Sequence, residues 1–183
     1  MFHKADRLFK GAALLGIFLF ILFTPLPNIN AQGNEYYVKA AYLEKFSRFT
    51  EWPSGSLSNE FVITIIGRDP FKGALEEIAL KYKFKNLPVR ITHINEISEL
   101  KKCNMLFIGE LKKGNVSEIT AALKYKPVLL IGETKGYSEK GVHINFYLTE
   151  KGTIHFEINP AAIKRSGLKI DMYLLGLGKV IGE

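Results

Sequence analysis

Three times along this chain a short apolar run rich in β-branched and aromatic residues ends in a glycine. Phe61–Ile66 precedes Gly67, Met105–Ile108 precedes Gly109, and Pro127–Ile131 precedes Gly132. Runs this short are strands, and because they are apolar throughout instead of alternating, they are strands covered on both faces. After Gly67, Asp69 is placed as an N-cap and Pro70 as the first residue of a helix reaching about Tyr82. Gly109 leads to a second helix near Val116–Lys124, and a further strand, Val89–Ile94, precedes a short helical segment at Ile97–Lys101. Strands alternating with helices of these lengths restrict the chain to an α/β fold: a single domain with a mostly parallel sheet flanked by helices.

The pattern changes toward the C-terminus. Val142–Thr149 and Thr153–Asn159 alternate strictly around Glu150, Lys151 and Gly152. A three-residue loop with glycine last makes a β-hairpin with a type I turn and a G1 bulge, placing Tyr147 opposite His155 and Asn145 opposite Glu157. Ile144, Phe146, Leu148, Ile154, Phe156 and Ile158 then share the core face. A helix from Pro160 to Arg165 ends near Gly167, and a terminal helix is expected over Asp171–Ile181. Leu168, Met172, Leu174, Leu175 and Leu177 offer more apolar surface there than one buried stripe requires. That surplus marks a homodimer or partner interface.

At the other end, Lys4, Arg7 and Lys10 precede an uncharged apolar run from Gly11 to Phe23, which Pro25 and Pro27 terminate. The run is shorter than the roughly 18–20 residues of a membrane span. Residues 1–31 therefore read as a cleaved signal peptide, with Ile29 and Ala31 before a cut at Gln32, and residues 32–183 as the mature domain. An uncleaved anchor is the rival, disfavoured by the shortness of the run. The 152 mature residues keep 22 of 25 Lys and Arg and 17 of 18 Asp and Glu, a net charge of +5. The lysines are scattered, which suits a solvated surface better than a nucleic-acid face. Cys103 is the only cysteine, so no internal disulfide can form even in an oxidising compartment. It reads as a half-buried residue at a strand entry.

Between Glu35 and Phe49, Val38, Ala41, Tyr42, Phe46 and Phe49 recur at helical spacing, and the helix stops at Glu51-Trp52-Pro53. Four segments together carry a family resemblance: VKAAYLEKFSRFTEWP at 38–53, IIGRDPFKGAL at 65–75, MLFIGE at 105–110, and IHFEINPAAIKRSGLKIDMYLLGLGKVI at 154–181. In their order and spacing they resemble the YfiR family (YfiR/HmsC-like periplasmic regulators) over nearly the whole mature chain. The resemblance implies a non-enzymatic repressor that holds a membrane-bound diguanylate cyclase inactive through its periplasmic part, controlling cyclic di-GMP signalling and biofilm formation. A sensor kinase is the other membrane partner it admits. It implies no cofactor, and it makes Trp52, Pro53, Asp69, Pro70, Glu157 and Asn159 structural residues of the family motifs. Two departures stand out. The family's cysteine pairs are missing, and Asp171 and Met172 replace small residues near the start of the last helix.

Other constellations carry less. His143, His155 and Glu157 would share the polar hairpin face, a permissive spacing for a metal, but the two histidines lie two cross-strand pairs apart and a covered polar face explains them better. Gly67, Arg68 and Asp69 could cradle an anion at a helix start, or simply form a tight turn. A small-ligand carrier using the crevice near Gly67, Gly109 and Gly132 is the alternative function. Tyr36 and Tyr37, near the new N-terminus, are candidates for an exposed partner patch. No GxSxG or HExxH is present, and no cysteine stands at a recognisable spacing from a histidine.

Overall fold

Side chains in the central strands point alternately into two apolar layers, and this alternation organises the molecule. A computed structural model describes residues 31–111 and 115–182. The signal segment lies outside the described residues except for Ala31, where the first helix begins. In chain order the elements are α1 (Ala31–Arg48), β1 (Thr50–Glu51), β2 (Phe61–Ile66), α2 (Ala74–Lys81), β3 (Val89–Ile94), a 3-10 turn (Ile97–Glu99), β4 (Met105–Ile108), α3 (Val116–Leu123), β5 (Leu129–Gly132), β6 (Ile144–Leu148), β7 (Ile154–Ile158), α4 (Pro160–Arg165), β8 (Lys169–Ile170), α5 (Met172–Leu177) and β9 (Lys179–Val180).

Seven strands form one sheet in the order β3-β2-β4-β5-β6-β7-β9. The first five are mutually parallel, β7 runs antiparallel to β6, and β9 is parallel to β7. This is the α/β domain with a mostly parallel sheet expected from the strand-glycine-helix order. Every residue of β2, β4 and β5 is buried. Ile63, Ile65, Met105, Phe107, Leu129 and Ile131 pack on one face with Ala40, Leu43 and Phe46 of α1 and Leu75 and Ile78 of α2. Ile66, Leu106, Ile108 and Leu130 face the other way, against Val116, Ile119 and Leu123 of α3.

Close backbone contacts explain the glycines that end the strands. A Cβ at Gly67, whose φ is +87°, would lie 2.5 Å from the Glu110 carbonyl oxygen, and one at Gly109 would collide with the Arg68 carbonyl. The two loops are thus zipped together by Arg68 N–H donating to Glu110 O at 2.9 Å. The hairpin has the expected register, Tyr147 opposite His155 and Asn145 opposite Glu157, with Gly152 at φ +74°. Its outer end is less buried than the alternation implied, since Leu148 is 49% exposed.

Two helix readings need correction. The helix after β2 begins at Ala74 with Gly73 (φ +93°) as its cap, four residues later than Pro70. Asp69 instead closes an Asx turn, its Oδ1 accepting the Phe71 N–H at 2.8 Å. The terminal helix is only Met172–Leu177. Gly178 is extended (φ −101°, ψ 164°) and Lys179–Val180 become a strand. A Cβ at Gly178 would lie 2.7 Å from both Phe156 and Ile158, so the chain crosses the sheet face where only glycine fits.

Candidate functional site

The C-terminal quarter is assembled from short elements, each fixed by a specific cap. Asn159 ends β7 and starts α4: its Oδ1 accepts Ala162 N–H at 2.8 Å, while its Nδ2 donates to Ser138 O at 2.9 Å. Pro160 takes the first helical position and Gly167 (φ +81°) ends the helix. The chain then pairs β8 with β1, Thr50 opposite Ile170. Trp52, just past β1, stacks edge-on against Phe61 at 5.3 Å, and Pro53 lies alongside Gly167. Asp171 caps α5, its Oδ1 accepting Tyr173 N–H at 2.7 Å. Trp52, Pro53, Asp69, Pro70 and Asn159 therefore sit at turns and element ends, while Glu157 lies within β7 between Asn145 of β6 and Lys179 of β9.

Of the residues expected to face a partner, Leu168 and Leu174 are buried in this chain's own core, Leu175 is half-buried against it, and Met172 is 79% exposed. Tyr173, Leu177 and Val180 join Met172 as exposed apolar residues, and Tyr173 leans on Phe49 with ring centroids 5.3 Å apart. The exposed apolar residues of the C-terminal segment are thus Met172, Tyr173, Leu177 and Val180. Burying a Leu or Met side chain removes about 1.5–3 kcal/mol of unfavourable hydration, which these side chains forgo within the chain itself. β9 is a sheet edge two residues long, and its Lys179 ammonium reaches Glu157 at 3.4 Å. Short, charged edges resist indiscriminate strand pairing.

The tyrosines near the N-terminus do not form a free patch. The Tyr36 hydroxyl donates to Glu133 at 3.3 Å and its ring meets Phe71, while Tyr37 Oη accepts from Lys81 at 3.0 Å. Lys39, almost wholly buried, bridges Glu35 and Glu133 at 2.6 Å each and lies 4.5 Å from the Tyr36 ring centroid. Burial first, and then the charges of Glu133 and Glu35, push the Tyr36 hydroxyl up to about 12. This cluster joins α1 to the end of β5. The sequence hid it because Lys39 occupies the helix face assigned to the apolar stripe. A cleft of about 660 Å³ opens beside it, over the carboxyl ends of β4, β5 and β6. The cleft lies directly beyond Gly109 and Gly132, in the region of the crevice the sequence suggested, and at Gly132 a Cβ would lie 2.9 Å from both Asn145 Oδ1 and Tyr137.

The polar hairpin residues are dispersed. His143 is 2% exposed, its Nδ1 accepting Leu130 N–H at 3.1 Å. Burial above all, with Arg165 adding to it, lowers its pKa to about 3 and keeps the ring neutral. His155 is exposed beside Tyr147, and Glu157 accepts from Ser138 Oγ at 3.1 Å. Among the described residues, one group brings three potential metal ligands within 4.8 Å: Asp69, Glu76 and His93. The Asp69–His93 contact of 2.9 Å ties the β2 turn to edge strand β3, and Glu76 Oε2 is buried without a partner. The three come from a turn, a helix and a strand, so no local spacing could announce them. In the Gly67–Asp69 turn the Phe71 amide is taken by Asp69, and the Arg68 guanidinium pairs with Glu110 at 3.2 Å. The result is an ordinary tight turn. Cys103 is buried, and burial pushes its thiol up to about 11.

A parallel α/β sheet extended by an antiparallel hairpin, then closed by a short capped helix and a returning edge strand, defines the class of domain. The chain belongs to the YfiR/HmsC-like family, whose model matches residues 36–179. No curated protein matches. Among solved structures, the chain is similar to a conserved domain protein from Vibrio cholerae O1 biovar El Tor, with 10% identity and a TM-score of 0.49 over 79% of this chain. It spans 59% of that protein's chain. No helix among the described residues is long and apolar enough to cross a membrane.

Proposed function

We propose that this protein is a periplasmic regulatory binding protein that holds an inner-membrane diguanylate cyclase inactive by binding its periplasmic part, thereby limiting cyclic di-GMP and biofilm formation. Membership of the YfiR/HmsC-like family across residues 36–179 carries this reading. The exposed Met172, Tyr173, Leu177 and Val180 supply a surface suited to a protein partner or to a second copy of the chain. Residues 1–31 deliver the domain to the periplasm and are removed. A protein outside the inner membrane can alter cytoplasmic chemistry only through a partner that spans it.

The test is genetic and biochemical together. Deleting the gene is expected to raise cellular cyclic di-GMP, and the wild-type chain, but not one lacking residues 1–31, is expected to restore it. Crosslinking in intact cells should recover a membrane protein bearing a cytoplasmic cyclase domain. Unchanged cyclic di-GMP together with no crosslinked membrane partner would overturn the proposal. Light scattering of the mature chain and of Leu177→Glu reads the homodimer part: a dimer that the substitution dissociates supports it, and a monomer in both removes it.

A further inference from the structure

On the sheet face opposite the aromatic core, a cavity of about 190 Å³ opens between α3, the segment around Gly141 and α4. Its polar lining is Ser117, Thr120, Lys124, Lys140, His143 and Arg165, and no carboxylate lines it. His143 supplies the floor. Because its Nδ1 accepts the Leu130 N–H, the ring proton must sit on Nε2, and that N–H has no protein acceptor among the described residues. Around the mouth stand Lys124, Lys140 and Arg165, none of them in an ion pair among the described residues. Three unneutralised cations around one concavity, with a neutral N–H at its base, are matched to an anion rich in acceptors. A tetrahedral dianion uses such a donor set more fully than a planar carboxylate does.

We propose that this cavity binds a phosphate group, free or as a monoester, with Lys124, Lys140 and Arg165 neutralising its charge and His143 Nε2 donating from the floor. Ser117 adds a hydroxyl at the rim. Lys140 also lines the Lys39–Glu133 cleft, whereas the site involves none of the exposed apolar residues of the C-terminal tail.

The experiment titrates the mature chain with inorganic phosphate and, separately, with glycerol 1-phosphate, following heat by calorimetry and the His143 Nε2–H by nitrogen-edited NMR. Saturable binding of either compound, with a shift of the His143 resonance, is expected; the tighter of the two tells free anion from ester. Lys140→Gln and Arg165→Gln change exposed side chains and leave the core intact. Each is expected to weaken binding about tenfold, the scale of one charge-assisted contact. No saturable binding, binding that leaves the His143 resonance unmoved, or equal affinity in the double variant would each overturn the proposal.

Discussion

The centre of the sheet and the C-terminal tail place their apolar residues in opposite ways. In β2, β4 and β5 every side chain is buried, large residues such as Phe61, Phe107 and Met105 are fully enclosed, and helices cover both faces. From Pro160 onward no helix exceeds six residues and no strand exceeds two, yet Met172, Tyr173, Leu177 and Val180 stand in solvent. Isolated helices of that length do not persist in water, so the tail owes its shape to caps and to the few side chains it sends inward, Leu168 and Leu174 among them. The centre is built for stability. The tail keeps exposed apolar side chains at little cost to that stability, as the proposed recognition role requires.

Truncation in the centre would break this contrast most sharply if it proved mild. Phe107→Ala removes a fully buried ring that packs edge-on against Phe71 at 4.7 Å, and should cost about 3–5 kcal/mol in urea unfolding. Next in size is a pH effect at the junction of the two regions. His143 is neutral when folded, with a pKa of about 3 against 6.5 ordinarily. The unfolded chain therefore takes up the proton first, and stability falls as pH drops from 6.5 toward 3. Between pH 7 and pH 5 the loss attributable to this residue should be about 2 kcal/mol. His143→Asn, which keeps an acceptor for Leu130 N–H, should flatten that slope in the same unfolding assay.

Gly178→Ala tests whether the tail is held against the sheet as closely as the 2.7 Å approaches to Phe156 and Ile158 require. A loss of about 1–3 kcal/mol is expected, and a neutral result would mean that β9 is loosely held. The smallest effect should come from the surface itself. Leu177→Ser and Met172→Ser are expected to leave stability within about 0.5 kcal/mol while weakening association with a partner or second copy in light scattering or crosslinking. A large stability loss would assign these residues to the core and remove them from the proposed partner surface.

Much of the scaffold was legible because it depends on local pattern. Phe61–Ile66, Val89–Ile94 and Met105–Ile108 are strands with the expected bounds, and the alternation on either side of Gly152 set the hairpin register. Asp69 closes an Asx turn where the sequence predicts an N-cap, because both use the same side-chain oxygen on nearby amides. No local pattern announces the Lys39–Glu35–Glu133 bridge or the Asp69–Glu76–His93 group, because Glu133 meets α1, and His93 meets Asp69 and Glu76, only once the sheet has formed.

The sequence alone therefore determined the parallel core, the hairpin and the family motifs, since these rest on periodicity, glycine punctuation and residue order within one stretch of chain. Tertiary structure alone decided which apolar residues of the last segment reach solvent. Periodicity reports that a face is apolar and says nothing of what lies opposite it. At Gly178 the chain extends and passes so close to Phe156 and Ile158 that no Cβ fits, while Leu174 turns inward and Leu177 is left outside.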